Sequence, residues 1–345
     1  ALPICYDWKE SKGLKVILGI LAVLVIAYVA GSVLSSPIVN AKKYQELLTV
    51  KNGEFTKDIE ELSFDQIPLL DKDSAELLGD RKMGSMVDMV SQFEVDELYS
   101  QINYQDQPVR VSPLKYASVI KWFTNMREGI PAYIKIDMAT QNTELVKLSE
   151  GMKYTTSDHF NRNIYRHLRF NYPTYIFNDL SFEIDEDGVP YWICPVKKYN
   201  IGLFGGTTIG RVVLCNAITG ETKDYAVEDV PQWVDRVYSA DLLVELYNYH
   251  GTLKHGFFNS VLGQKDCLNT TDGYNYLAIV MKSPQQKIKN QSYLTKCSFV
   301  DAKSLFEWAF DSLKYTTIVA KDEVIGEVSV ENGKDADTVA LVAAN

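Results

Sequence analysis

The stretch LSFEIDEDGVPYWICPVKKYNIGLFGGTTIGRVVLCNAITGETKDYAV, residues 180–227, decides the fold. It contains four runs rich in β-branched and aromatic residues: LSFEID, PYWICPVKKY, IGRVVLCNA and ETKDYAV. The connections between them, EDG, GLFGGTT and ITG, carry the glycines that tight turns need. Short strands separated by such turns predict an antiparallel meander. Helical text flanks it on both sides. Ser157 and Asp158 are placed to cap a helix running to about Phe170, which Pro173 stops. Val230 to Tyr249 reads as a second helix, with Pro231 in its first turn and Trp233, Val234, Val237, Leu242, Val244 and Leu246 as apolar positions. Helix, meander, helix is an α+β unit.

Cys194 and Cys215 flank the Gly-rich turn nearly symmetrically. Strands paired about Phe204–Gly205 would bring them almost opposite one another. Cross-strand Cβ atoms approach to roughly 4.5–5.5 Å, close to disulfide geometry. The alternative is two buried thiols packing as small hydrophobes. Cys5, Cys267 and Cys297 complete a total of 5, too few for a disulfide scaffold.

Upstream, Asp73-Ser74 can cap a short helix over AELLG, ended by Gly79. YSQINY and PVRVS flank QDQP as a hairpin. KYASVIKWFTNM, residues 115–126, reads as a helix with Val119, Ile120 and Phe123 on one face. AYIKIDM and ELVKL read as strands. Downstream, residues 284–291 form a polar linker, and Ser298 is placed to cap an amphipathic helix through Leu313. YTTIVA, VIGEVSV and TVALVA read as closing strands.

Nearer the start, VILGILAVLVIAYVAGSVLSSPIVNA, residues 16–41, contains no charge. Roughly twenty apolar residues cross about 30 Å of hydrocarbon. A soluble helix of this length would show a polar face, and this one shows none. A cleaved signal peptide would have a shorter apolar core and small residues at the cleavage site, where Tyr28 stands instead. The expectation is an uncleaved anchor over residues 16–36 in contact with the lipid bilayer. Lys9, Lys12 and Lys15 precede it and Lys42 and Lys43 follow it, so the charge bias is slight. The bulk of the chain follows the span and is expected outside the cytoplasm. AKKYQELLTV reads as a short helix after it. The segments are then a cytoplasmic tail (1–15), the anchor (16–36), an α+β module (37–156), a second α+β module (157–276) and a helix-plus-strand module (277–345).

Apolar content of 46% and aromatic content of 12% are globular values. A net charge of −10 and a pI of about 5.0 argue against nucleic acid as a partner, which requires a basic stripe. Against that background Arg162, Arg166 and Arg169 recur at helical spacing beside His167. They form either a solvated face paired with nearby acids or a surface for an acidic envelope protein or wall polymer.

Other candidate chemistry is weak. His159 and His167 are eight apart and His250 and His255 five apart; neither pair has the i, i+4 spacing of a helical zinc site. Asp185-Glu186-Asp187-Gly188 begins like a calcium loop, but position twelve is Val196, so it reads as a turn. Gly202 to Gly210 lacks a phosphate-binding fingerprint and precedes a strand. No metal or cofactor is expected.

Two resemblances remain. VVLCNAITGETKDY is similar to the PepSY-type strand–turn–strand. Residues 41–276, through SQFEV, QPVRVSPL, RHLRFNYPTYIF, FEIDEDGVPYW and DVPQWVDRVY, resemble a membrane-anchored extracytoplasmic family of Gram-positive bacteria. Separately, DGYNYLAIVMKSP, SFVDAKSLFEWAFDSLKYTTIV and EVIGEVSVENGKDADTVALVA, within residues 272–343, resemble the late region of D-alanyl-D-alanine carboxypeptidases. That second family implies an upstream serine–lysine apparatus. Ser112-Pro113-Leu114-Lys115 fits S-x-x-K formally, but Pro113 is poor for the required helix. Lys254-His255-Gly256 is not K-T-G. Ser112 is therefore expected to close a strand and Lys115 to open the next helix, with no catalytic role. The chain reads as a non-enzymatic envelope binding or regulatory module. The alternatives are an envelope hydrolase and a purely structural adaptor.

Overall fold

A computed structural model describes residues 12–48, 70–281, 289–299, 324–329 and 338–342. The chain is α+β with antiparallel sheets and one N-terminal apolar helix. That helix, α1 (Lys12–Ser35), is followed at once by α2 (Pro37–Gln45). Then come α3 (Lys72–Gly84), β1 (Phe93–Val95), β2 (Ser100–Tyr104), β3 (Gln107–Tyr116), α4 (Val119–Asn125), β4 (Ile130–Asp137) and β5 (Thr143–Met152). The second half holds α5 (Ile164–Asn171), β6 (Ser181–Ile184), β7 (Pro190–Ile201), β8 (Gly205–Asn216), β9 (Thr222–Ala226) and α6 (Ala240–Thr252). β10 (Thr270–Met281) pairs with β11 (Lys289–Phe299). In a separate C-terminal unit, β12 (Val324–Ser329) pairs antiparallel with β13 (Thr338–Val342). The expected linker core, the helix after Ser298 and the YTTIVA strand lie outside the described residues.

The first sheet runs β1–β3–β4–β5, with β2 also on β3. The expected hairpin is present. Gln105 and Asp106 both have positive φ, 51° and 63°, which is the backbone of a tight two-residue connection. The second sheet is the meander β6–β7–β8–β9. Its two faces are both buried, which explains the apolar run in PYWICPV. Trp192, Cys194, Val196, Val213 and Cys215 join a cluster with Ile134, Ile136, Tyr133 and Phe182 of the two sheets. This cluster draws residues from both the 37–156 and the 157–276 stretches. Ile193, Val212 and Leu214, on the alternate positions, meet Leu242 and Leu246 of α6. Each fully buried Leu or Ile of this kind contributes roughly 1.5–3 kcal/mol.

Several boundaries differ from expectation. The β7–β8 register pairs Trp192 with Cys215 and Cys194 with Val213. The hairpin is thus centred on Leu203, and a bulge at Val196/Lys197 absorbs one residue. Cys194 and Cys215 lie on adjacent strands but are offset along the ladder, and both are buried free thiols. Burial pushes both thiols up, inert as thiols rather than poised as thiolates. Gly79 lies inside α3, where a Cβ would collide with the Tyr99 hydroxyl, so it marks a close approach rather than a helix end. Residues 115–118 belong to strand and turn, and α4 begins after Ser118, whose hydroxyl accepts from Lys121 N at 3.3 Å.

The helix expected from Val230 begins only at Ala240, capped by Ser239. The cause is Glu183. Its buried carboxylate accepts from the amides of Asp235 (2.9 Å) and Arg236 (2.9 Å), which holds the preceding loop in a non-helical path. Asp235 in turn accepts from Asn103 N of β2. Burial, reinforced by the neighbouring Asp235, raises the Glu183 carboxyl above its ordinary range.

Candidate functional site

The site is built on the loop that joins β5 to α5. Ser157 and Asp158 do not cap a helix there. Ser157 Oγ accepts from Tyr116 N at 3.2 Å, which ties the loop to the end of β3. Asp158 turns inward and is 2% exposed. Its Oδ1 accepts from the Trp122 indole at 3.0 Å and its Oδ2 from the Thr155 hydroxyl at 2.8 Å. Burial pushes its carboxyl up to about 6. The hydrogen bonds from Thr155 and Trp122 and the charges of Arg162 and His159 oppose that rise. The true cap of α5 is Asn163, which accepts from Arg166 N at 3.3 Å.

This arrangement pins Trp122 and lets the rest of α4 face outward. No residue of α4 is buried. Val119, Ile120 and Phe123, the expected apolar face, are 64%, 74% and 70% exposed. Phe160 adds a fourth apolar side chain, 67% exposed, on a backbone with φ of 53°. A bulky residue in that left-handed region costs about 1–3 kcal/mol and persists only where its surroundings impose it. The Trp122 ring meets His159 edge-on at 4.6 Å and Phe160 at 6.0 Å between centroids. A cleft of about 340 Å³ opens between them, lined by Val119, Trp122, Asp158, His159, Phe160, Asn163 and Arg166. Its walls are apolar and aromatic, its rim carries a guanidinium, and both oxygens of its one acid are engaged by the fold. Such an apolar-walled cleft is suited to holding a side chain.

The three arginines do not form one helical face, because α5 begins at Ile164. Arg162 lies in the preceding turn and donates to the Met126 carbonyl at 2.5 Å. Arg169 donates to the carbonyls of Pro173 (3.0 Å) and Tyr175 (3.1 Å). Arg166 alone lines the cleft. His167 contacts the Gly220 carbonyl at 2.8 Å, far from the role of a ligand beside His159. Asp185 is the turn residue it was expected to be, accepting from Asp187 N and Val189 N. Among the described residues no group of three His, Cys, Asp or Glu side chains gathers as a metal site would require.

Ser112 lies in mid-strand, fully buried, paired with Ile134, and its hydroxyl donates to the Asp96 carbonyl at 2.7 Å. Lys115 stays in β3 opposite Glu94 rather than opening a helix. In a strand, residues three apart point to opposite faces, so this S-x-x-K cannot bring serine and lysine together.

Trp122, Asp158 and Phe160 escaped sequence reading. SDHFN looks like a helix cap, and no local pattern announces the left-handed Phe160. The available signal was the apolar stripe of α4, whose exposure depends on tertiary packing. Comparison with known proteins finds no match to a family model, a curated protein or a solved structure.

Proposed function

We propose that this protein is a single-pass, membrane-anchored interaction module of a cell envelope, with its α+β domain outside the cytoplasm and its partner seated on the α4–Phe160 cleft. The observation that carries the reading is the cluster of Val119, Ile120, Phe123 and Phe160, all more than half exposed around one pinned tryptophan. Contiguous apolar exposure with a polar rim is the mark of an interaction site. Arg166 at the rim favours a partner that presents an apolar side chain next to a carboxylate. The anchor is α1, of which Gly13–Ser35 is long and apolar enough to span a bilayer. The extracytoplasmic placement rests on the position of the domain after the anchor and on the resemblance of residues 41–276 to an anchored envelope family. The similarity of the β8–β9 turn to PepSY elements agrees with a regulatory rather than a hydrolytic role.

Two experiments test this. Protease added to intact cells should digest the domain; complete protection would reverse the topology. A photo-crosslinking residue at position 123 should capture one discrete envelope protein in living cells, less so with Arg166→Glu. The same residue at position 105, in the β2–β3 turn, should capture none. Equal labelling at both positions would dismiss the cleft as a partner site.

A further inference from the structure

The turn between β7 and β8 reaches back to the apolar helix. Leu203 N donates to Ser35 Oγ at 3.0 Å and Phe204 N lies 3.5 Å from the same oxygen. The Phe204 ring packs on Tyr28 at 5.3 Å between centroids. A Cβ at Gly31 would stand 3.3 Å from Phe204 Cε2 and 3.4 Å from Leu203 Cδ1, so the glycine is what admits the two side chains so near the helix axis. A side chain at Gly202 or Gly205 would collide with Ser35. The Tyr44 hydroxyl donates to Ser35 O at 2.7 Å and the Asn40 amide to Leu34 O at 2.6 Å. The end of α1 is thereby bolted to the domain rather than joined to it by a free linker.

At 1.5 Å per residue, Gly31 lies about 6 Å and Tyr28 about 10 Å inward from Ser35 along α1. Side chains that pack at those levels stand at the depth of the acyl chains if Ser35 marks the outer boundary. Leu203 is 67% exposed and Phe204 45% exposed, facing whatever surrounds α1. The hairpin sequence is graded to match. Tyr199 to Gly210 contains no charge. Lys198 and Lys197 lie about 16 Å and about 20 Å back along the strand from Leu203, toward the headgroups. Tyr199 lies between them and the tip, at the level where aromatic rings prefer the interface.

We propose that the β7–β8 hairpin tip is a second membrane-contact site, with Leu203 and Phe204 immersed among lipid acyl chains beside α1. It rests on the reading of α1 as a membrane span. Two contact points fix the tilt and height of the domain over the bilayer, which a lone helix and linker would leave free. Two amides of the tip, Leu203 N and Phe204 N, find their acceptor in the Ser35 hydroxyl, which lowers the cost of placing the turn beside lipid.

The test uses the full chain in vesicles of phosphatidylcholine and phosphatidylglycerol. Cys5, Cys267 and Cys297 are changed to serine, and the buried Cys194 and Cys215 are kept. An environment-sensitive fluorophore is attached through Leu203→Cys, Val25→Cys or Gln105→Cys, and quenching is read with lipids brominated at shallow or deep acyl positions and with aqueous iodide. An unchanged thermal midpoint for each labelled protein shows that the hairpin is intact. The expected result is strong shallow-bromine quenching at position 203, deep-bromine quenching at 25, and iodide quenching alone at 105. Iodide quenching at 203 with lipid quenching at 25 would overturn the proposal and leave the anchor standing. Loss of lipid quenching at 25 as well would instead remove the anchor reading. A 203 label shielded from both lipid and iodide would place the tip against a second copy or another protein and would also overturn it.

Discussion

Asp158 and Glu183 are both buried acids, and the fold uses them differently. Glu183 is sealed, has a second acid beside it, and accepts backbone amides that shape a loop. Asp158 lies under an open cleft, has cationic neighbours, and accepts from side chains that orient one aromatic ring. The first acid belongs to the fold and the second to the surface it supports. Burial raises both carboxyls, so a raised pKa alone does not tell the acid of the candidate cleft from the acid of the core; the neighbours and the access do.

The largest expected break in this comparison is Glu183→Ala. It strands the amides of Asp235 and Arg236 in the interior and should destabilise the protein by about 3–5 kcal/mol, read by chemical denaturation of the full chain in detergent. If the loss stays under about 1 kcal/mol, the loop is held by something other than Glu183.

Glu183→Gln removes the titration and keeps one acceptor oxygen, so one of the Asp235 and Arg236 amides loses its partner. A carboxyl raised on folding contributes stability that is complete below its unfolded value, near 4.3, and is lost as pH rises through the folded value. The native chain should therefore lose stability as pH is raised from about 4.5. The Gln variant should start less stable and show the smaller loss over that range. Parallel pH profiles for the two proteins would show that Glu183 is charged throughout.

Asp158 makes the same kind of contribution over a narrower window. Its share is present below roughly 3.9 and fades as pH rises through about 6. Asp158→Ala should cost about 1–3 kcal/mol and loosen Trp122, visible as a red-shifted tryptophan emission. Asp158→Asn should flatten the pH dependence between those limits while keeping the ring in place.

Effects on stability shrink at the cleft surface, and effects on binding take their place. Phe160→Gly relieves the left-handed backbone and should gain about 1 kcal/mol or less while reducing crosslinking at position 123. Arg166→Glu should change stability by less than about 0.5 kcal/mol and reduce capture further. A variant at Arg162 or Arg169, whose guanidiniums hold backbone carbonyls, should do the reverse.

The apolar helix, the β2–β3 hairpin and the four-stranded meander are legible in the local sequence. Each is a local matter of period and turn chemistry: an uncharged run, two turn residues between alternating strands, glycines between β-branched runs. The sequence did not determine the cysteine register, because the bulge at Val196/Lys197 and the contact of the hairpin with Ser35 lie outside any local window. It misplaced the start of α6, because the amides at Asp235 and Arg236 go to Glu183, some fifty residues away in the chain. The candidate site was the least legible part. The apolar stripe of α4 looks like any core-facing helix, and tertiary packing decides that Trp122 is the apolar residue of α4 that packs on the core. Burial is a property of what stands opposite a side chain, and neighbouring sequence does not encode it.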